Sequence, residues 1–398
     1  MSTSVKMAIP RLTFPSEPQL PEVKNLNDAM SWCTHTLNRI VTSGLMPARS
    51  VAQLVTSRRL TTSSCFSGMG TPEIADAIIS NSVQEFIKHY WDASWGDIPE
   101  GLDTSCAYAA DFDAKCREEL LVVPGMTCPQ HVFGDVREFV AQDLRQAVGL
   151  DGGVPLMPSE LREKMRAARH RKAAVRHQAW CYKCGKECRV TRTHIHTAGS
   201  PCVDHSMMNQ KRLKEDGPKF SAFIIWTELM MLLKPFVIIH ENVKTFGDAP
   251  LQEALGESYF IIRIEVNPES LGWASRRPRQ YCVLVLKSYV SSLYQRFDSR
   301  FDKGTGTLVQ EISDTKLKQM FVEDMDLGNT LRHVCYRTCG FTWRSYMCAS
   351  EEELESERKW LANRPCVLER KQDEAILTKK EEERLKAKSR NIEKQKIR

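Results

Sequence analysis

The stretch Thr61-Thr-Ser-Ser-Cys-Phe-Ser-Gly-Met-Gly-Thr-Pro-Glu73 decides the fold. Its first half is strand-like, Gly68 and Gly70 punctuate its middle, and Ile74, Ala75, Ala77, Ile78 and Ile79 continue at helical spacing. Strand, glycine turn and helix form the layout of a nucleotide-type cofactor site, where the backbone approaches a ligand faced by the helix N-terminus. Pro72 suits the first turn of that helix. On its own the pattern is equally that of a tight turn.

The flanking sequence repeats the unit. Ser105 to Asp113 predicts a second strand ending in acids, with a helix from Ala114 to Leu121 behind it. Asp111, at that strand end, is placed either to hold ribose hydroxyls or to stand as a solvated loop acid. Gln130 to Val136 predicts a third strand closing on Gly134-Asp135. Strands alternating with helices imply a doubly wound, Rossmann-like α/β sheet with helices on both faces. Ahead of it, Asn27 to Ser50 and Val51 to Ser57 carry helical spacing, and Tyr259 to Val266 with Tyr281 to Lys287 predict a strand pair at its C-terminal end.

Farther along, Thr197-Ala-Gly-Ser-Pro-Cys-Val-Asp-His-Ser206 follows an apolar run and turns at Gly199 and Pro201. Cys202 is therefore presented at the carboxyl end of a strand, the edge where open α/β sheets bind ligands. With fourteen cysteines in the chain, a packed apolar thiol is the competing reading. Phe220 to Leu233 predicts a helix, and Pro235 to Val243 a buried strand ending in Glu241-Asn242.

Composition narrows the class. The chain has 398 residues, 42% of them hydrophobic, enough for one large α/β domain and a smaller appendage. Met1 to Asn27 is polar and holds Pro10, Pro15, Pro18 and Pro21, which predicts an extended arm rather than a signal peptide. The expectation is an intracellular protein, nuclear if the cell is eukaryotic. Glu228, Lys234 and Pro235 interrupt the longest apolar stretch, which excludes a membrane span there. In a reducing compartment the cysteines are expected free, metal-bound or catalytic.

Positive charge is local. Pro158 to Arg192 holds eleven Lys and Arg against three Glu, a balance of +8 where the whole chain has +6. A basic helix over Pro158 to Ala179, with Arg162, Lys164, Arg166, Arg169, Arg171 and Lys172, is the expected phosphate-binding element. Cys181, Cys184 and Cys188 follow at zinc-knuckle spacing, with His194 or His196 as fourth ligand; the alternative is a thiol-rich hairpin.

Taken in order, these pieces resemble the cytosine-5 methyltransferase family. Phe66-Ser-Gly-Met-Gly70 resembles its first motif, Asp111 its second-strand acid and Gly134-Asp135-Val136 its adenine-side motif. Gly199-Ser-Pro-Cys202 is similar to its nucleophile loop, Glu241-Asn-Val243 matches its ENV motif, and Arg277-Pro-Arg279 resembles its R-x-R motif. The resemblance implies S-adenosylmethionine lined by Phe66, Ser67, Gly68, Gly70, Asp111, Asp135 and Pro201. It implies Cys202 as the nucleophile toward cytosine C6, Glu241 at the base N3, and Arg277 and Arg279 as orienting cations. A flipped cytosine in DNA is the implied substrate, with RNA as the alternative and a catalytically impaired nucleic-acid-binding module as a third reading.

The chain also departs from the family. Val203-Asp204-His205-Ser206 replaces the residues that usually follow Pro-Cys, Ser275 stands where a Gln is usual, and Leu327-Gly-Asn-Thr330 is the nearest match to the last motif. The expected organisation is an N-terminal arm over 1–27 and a catalytic domain over 28–290, with an insertion at about 137–192. A small target-recognition region over 291–372 and a charged tail over 373–398 follow.

Overall fold

The computed structural model describes residues 22–56, 59–95, 102–123, 127–151, 156–170, 174–207, 209–290 and 327–340. Residues 1–21, Arg171, Lys172, the tail over 373–398 and all of the 291–372 region except 327–340 lie outside the described residues.

Strand β1 (Glu22–Val23) leads into helices α1 (Leu26–Met30), α2 (Trp32–Thr42) and α3 (Ala48–Thr56). The Asn25 side chain caps α1 by accepting the Asp28 N–H at 2.9 Å. Next come β2 (Leu60–Cys65) and the long α4 (Thr71–Tyr90), whose Val83, Phe86 and Ile87 pack against Cys33 and Leu37 of α2 and Val51 and Ala52 of α3. Then follow β3 (Thr104–Ala110), α5 (Ala114–Val122), β4 (His131–Phe133) and α6 (Gln142–Ala147).

The insertion holds α7 (Pro158–His170) and a hairpin of β5 (Gln178–Cys181) and β6 (Lys186–Arg189). Helix α7 ends nine residues before the expected Ala179, because β5 has begun by Gln178. Beyond it run β7 (Ile195–Gly199), α8 (Phe220–Leu233), β8 (Val237–Asn242), α9 (Ala249–Leu255), β9 (Tyr259–Val266) and β10 (Arg279–Leu286), and the described chain closes with α10 (Leu327–Cys335) and β11 (Thr338–Cys339).

Nine strands form one sheet in the order β6-β5-β4-β3-β2-β7-β8-β10-β9. From β4 to β8 all neighbours are parallel, while β10 runs antiparallel to both β8 and β9. This is the doubly wound Rossmann-like arrangement with an antiparallel pair at its C-terminal end. The chain first builds outward from β2 through β3 to β4, then returns to lay β7 on the other side of β2. That reversal is the topological switch point, and ligands bind such sheets in the crevice outside the strand ends there.

Helix α8 is apolar on nearly every side, and Ile225, Trp226, Leu229 and Met230 are fully buried. A helix of this kind needs cover on both sides. The sheet covers one; α7 covers the other with Leu161, Met165 and Ala168. Central strand β2 brings polar side chains into the interior. Its Thr62, Ser63 and Ser64 are buried and hydrogen-bonded, Ser63 to Thr193 (2.8 Å) and His196 (2.9 Å), Ser64 to Ser67 (2.6 Å) and Glu73 (2.5 Å).

Segment 327–340 packs against the N-terminal helices. Arg337, itself buried, donates to the carbonyls of Asp28 (2.8 Å) and Ala29 (3.2 Å), and β11 pairs with β1 through Glu22↔Thr338 and Val23↔Cys339. Among the described residues no helix is long and apolar enough to cross a membrane.

Candidate active site

Cys65 of β2 and Ala198 of β7 are register partners, so the turn after β2 and the loop after β7 leave the sheet side by side at the switch point. In the first turn Phe66 (φ 55°), Gly68 (φ 57°) and Gly70 (φ 83°) are all left-handed. For Phe66 this conformation is strained, a feature that concentrates at functional sites. At Gly70 a Cβ would stand 3.1 Å from Val123, whereas at Gly68 it would meet nothing within 4 Å, so the turn lies open above Gly68. Beside it Met69 and Phe112 are exposed.

Asp111 braces this turn. Its Oδ2 accepts the Gly68 N–H at 2.8 Å and its Oδ1 the Asp113 N–H at 2.9 Å. Burial pushes its carboxyl up, and those two N–H groups oppose the shift. Each oxygen keeps a lone pair for a ribose hydroxyl, but its structural partners are backbone. Asp135 caps the turn Val136–Phe139 in a capping box with Glu138 and pairs with the Arg137 guanidinium, whose Nε lies 2.9 Å away.

The second loop converges on Gly199. Gly199 is the register partner of Glu241, and a Cβ there would lie 3.3 Å from Glu241 Oε2 and 3.9 Å from the Phe66 carbonyl. The missing side chain lets the Glu241 carboxylate lie over the root of the Cys202 loop. Because β10 is antiparallel, its first residue stands at the carboxyl edge of β8, which brings Arg279 Nε to 2.8 Å from Glu241 Oε1. Arg277 is exposed, and only its backbone is fastened, its N–H donating to Asn267 Oδ1 at 3.2 Å.

Between Gly199 and the half-buried Cys202, the chain is clamped at Ser200. Asn242 Nδ2 donates to the Ser200 carbonyl (3.1 Å) and hydroxyl (2.9 Å), and that hydroxyl also meets His240 Nε2 at 2.8 Å. Burial depresses His240 to about 3, so the ring is neutral, stacked on Trp226 at 5.2 Å. Trp226 Nε1–H donates to Nε2 of His196, a second buried imidazole depressed to about 3 by burial and then by His240. Pro201 follows, and the Cys202 carbonyl accepts from the N–H groups of His205 (3.1 Å) and Ser206 (2.9 Å).

Two of the residues after Cys202 are folded in as packing. Asp204 and His205 are buried; Asp204 Oδ2 accepts the Lys219 N–H at 3.1 Å, and the His205 ring lies 4.7 Å from Phe246. Val203 and Met207 remain exposed around Cys202. Asp204 also accepts the N–H of Lys214 (3.0 Å), which with Arg212 has a positive φ. This fold-back places exposed Lys211, Arg212 and Lys214 beside the loop, cations that the charge count over 158–192 missed.

The cations of the basic helix also have partners inside the chain. Arg169 pairs with buried Glu228 (Nε to Oε2 2.7 Å), Arg162 and Arg166 share Glu253 (2.6 and 3.5 Å), and Lys164 donates to the Ala147 carbonyl (2.8 Å). These arginines line a small crevice against α8 and α9, and Arg162 also lies 5.7 Å over the ring of Phe220 at the start of α8. Helix α7 thus covers α8, and four of the six cations expected to meet phosphate, Arg162, Lys164, Arg166 and Arg169, have partners within the chain, while Arg166 stays largely exposed.

The cysteine hairpin is corrected in one ligand. Cys181, Cys184 and Cys188 do cluster, but their imidazole neighbour is His131 of β4, its Nδ1 3.7 Å from Cys181 Sγ and 3.5 Å from Cys184 Sγ. His194 is elsewhere, its Nδ1 accepting the Thr61 N–H at 3.0 Å, and His196 is enclosed by Ser63, Tyr108 and Trp226. Both belong to β7 and its approach, separated from the hairpin by β4, β3 and β2.

No protein-family model matches the chain, and no curated protein sequence matches it. Among solved structures it is similar to a protein assigned as a DNA modification methyltransferase, encoded within an E. coli prophage (15% identity, 58% of this chain and 47% of that one, TM-score 0.32). It is also similar to S. pombe Dnmt2 methyltransferase (12%, 63% and 57%, TM-score 0.30) and to the Entamoeba histolytica methyltransferase EhMeth (12%, 58% and 54%, TM-score 0.28). The matched part thus spans about half the length of each of these proteins.

Proposed function

We propose that the chain methylates cytosine at C5 in DNA, using S-adenosylmethionine, with Cys202 adding covalently to C6 of a flipped base. The observation that carries this reading is the convergence on Gly199: the Cys202 loop, the Glu241–Arg279 pair and the Phe66 turn share one point of the carboxyl edge. A thiol, a carboxyl group and a guanidinium beside a glycine turn are what covalent activation of a pyrimidine needs.

The first turn fits the cofactor. Its backbone is left-handed where a ligand would approach, the space above Gly68 is open, Asp111 holds the turn rigid, and Phe112 offers an exposed ring at the strand end. Phe66, Ser67, Gly68, Gly70, Asp111, Asp135 and Pro201 would line it. When bound, S-adenosylmethionine supplies an electrophilic methyl group.

The chain's own residues do the rest. Cytosine C5 is a weak nucleophile, and addition of the Cys202 thiolate to C6 pushes electron density onto it. Glu241 holds a proton on the base N3, which lets the ring accept that density. Arg279 fixes the carboxyl group through its 2.8 Å contact, and Arg277 orients the base from the rim. After C5 is methylated, its proton leaves to solvent and the S–C6 bond breaks, restoring thiolate and aromatic ring. Lys211, Arg212 and Lys214 supply phosphate contacts beside the loop. Because C6 is enclosed in a stacked duplex, the nucleotide has to flip out.

Incubation with S-adenosylmethionine and 5-fluorocytosine-containing DNA or RNA tests this. A covalent adduct with DNA that is lost in Cys202→Ser is the expected result. An adduct with RNA alone moves the substrate to RNA, and no adduct with either refutes the chemistry, leaving the impaired binding module.

A further inference from the structure

The thiols of Cys181, Cys184 and Cys188 and Nδ1 of His131 all lie within 4.8 Å of one another. We propose that these four side chains form a closed Cys3His site for a structural zinc ion, which rivets the inserted β5–β6 hairpin to strand β4. A tetrahedral zinc with Zn–S of about 2.3 Å and Zn–N of about 2.0–2.1 Å sets S···N edges at about 3.6 Å and S···S edges at about 3.8 Å. The observed Sγ···Nδ1 separations of 3.5 and 3.7 Å fall on the first value. The longest separation in the cluster needs a closure of about 1 Å, within reach of a small side-chain rotation.

The local backbone has the shape of a metal-binding knuckle. Cys181-Tyr-Lys-Cys-Gly185 reverses direction at Gly185, which is left-handed (φ 64°) and donates its N–H to the Cys181 carbonyl at 2.9 Å. Backbone N–H groups of Lys183 and Cys184 also lie against the Cys181 sulfur. Such donors orient a thiolate and spread its charge. Lys183 and Lys186 stand beside the ligands and Arg117 stacks on Tyr182 at 4.2 Å, so cations surround a centre whose three thiolates and one Zn²⁺ sum to −1.

The position explains what the metal would do. Hairpin and sheet share one register pair, Phe133↔Cys181, backed by the Tyr182 N–H to Val132 carbonyl bond at 2.7 Å. The Val140↔Val175 bridge and the Arg176 N–H to Phe139 carbonyl bond (2.8 Å) fasten the opposite end of the hairpin, which leaves few backbone bonds to tie the knuckle end to β4. His131 comes from β4 itself, so an ion bound there ties hairpin to sheet across that junction. Because β5 runs antiparallel to β4, the knuckle lies at the amino end of β4, opposite the carboxyl edge that holds Cys202. All four ligand positions come from protein, which leaves none open for catalysis. The ion is therefore a fastener and takes no part in turnover.

The test uses the full chain, purified under reducing conditions without added metal. Elemental analysis is expected to find about one zinc per chain, falling below about a tenth in Cys184→Ser and in His131→Ala. Cys128→Ser, a nearby thiol outside the four, is expected to keep its zinc. Cys184 is exposed, so its variant is expected to fold, with circular dichroism as the check. Cobalt(II) in place of zinc should absorb intensely in the visible range, as tetrahedral sulfur coordination does. The proposal is overturned if the reduced protein binds neither zinc nor cobalt, if both ligand variants retain metal, if cobalt shows only weak octahedral absorption, or if the unreduced mass is short by two hydrogens, marking a disulfide.

Discussion

Lowering the pH should destabilise the protein through two buried imidazoles, and His240→Gln should remove about half of that sensitivity. His196 and His240 are both depressed to about 3 by burial, against about 6.5 in an unfolded chain. Between those values the unfolded chain holds more protons than the folded one, so stability falls as pH drops below about 6.5 and levels off near 3. Each ring then costs RT ln(1 + 10^(6.5−pH)), about 2 kcal/mol at pH 5 and on the order of 4 kcal/mol for the pair. Total stabilities are about 5–15 kcal/mol, so the loss is large. Glu73 and Asp76, raised mainly by burial, act with the opposite sign: the folded state holds their protons more tightly, and acidification returns part of the loss. Those groups, like the metal ligands, are common to parent and variant and cancel in the difference. Urea unfolding of parent and His240→Gln at pH 5, 6, 7 and 8 measures that difference. At pH 8 the variant should be the weaker, having lost the fit of the ring against Trp226. The gap should close by about 2 kcal/mol on going to pH 5. A gap constant across the range would refute the assignment of a neutral, proton-excluding His240.

Arg169→Ala leaves Glu228 buried beside an empty space and should cost about 3–5 kcal/mol in chemical unfolding, most of it recovered in the double variant with Glu228→Leu. A loss under about 1 kcal/mol would mean that Glu228 finds water or another partner. Gly199→Ala puts a methyl group 3.3 Å from Glu241 Oε2 and should push the carboxylate off Arg279; adduct formation with fluorocytosine DNA should fall at least about tenfold while unfolding stability changes by less than about 1 kcal/mol. Unchanged adduct yield would separate Glu241 from the reaction.

The strand ends of the candidate site were legible because local rules specify them. Glycines that need left-handed backbone mark the turn after β2, and an apolar run stopping at Glu241-Asn242 marks the end of β8. Helix α8 and strand β9 span the residues that periodicity predicted. What escaped depends on partners distant in sequence. A run of arginines reads the same whether it meets phosphate or carboxylate, so the pairing of α7 with Glu228 and Glu253 becomes visible only once the helix lies over α8. His131 lies 50 residues before Cys181, and a spacing rule that looks for ligands just beyond the knuckle selects His194. The Ser200–His240–Asn242 clamp was hidden for the same reason: each residue is ordinary in its own strand, and their meaning comes from β7 and β8 lying side by side.

The pairing of β1 with β11 also sets an order of events during synthesis. Glu22 meets Thr338, so 316 further residues (338 − 22) must leave the ribosome before the amino-terminal strand has a partner. At about 5–20 residues per second that interval is about 16–63 s. Throughout it the carbonyls of Asp28 and Ala29 wait for the guanidinium of Arg337, and Val23 has no neighbour across the ladder. Strand β1 is thus made before the nine-stranded sheet and completed after it, and a nascent chain halted before residue 337 carries every strand of that sheet with β1 still unpaired.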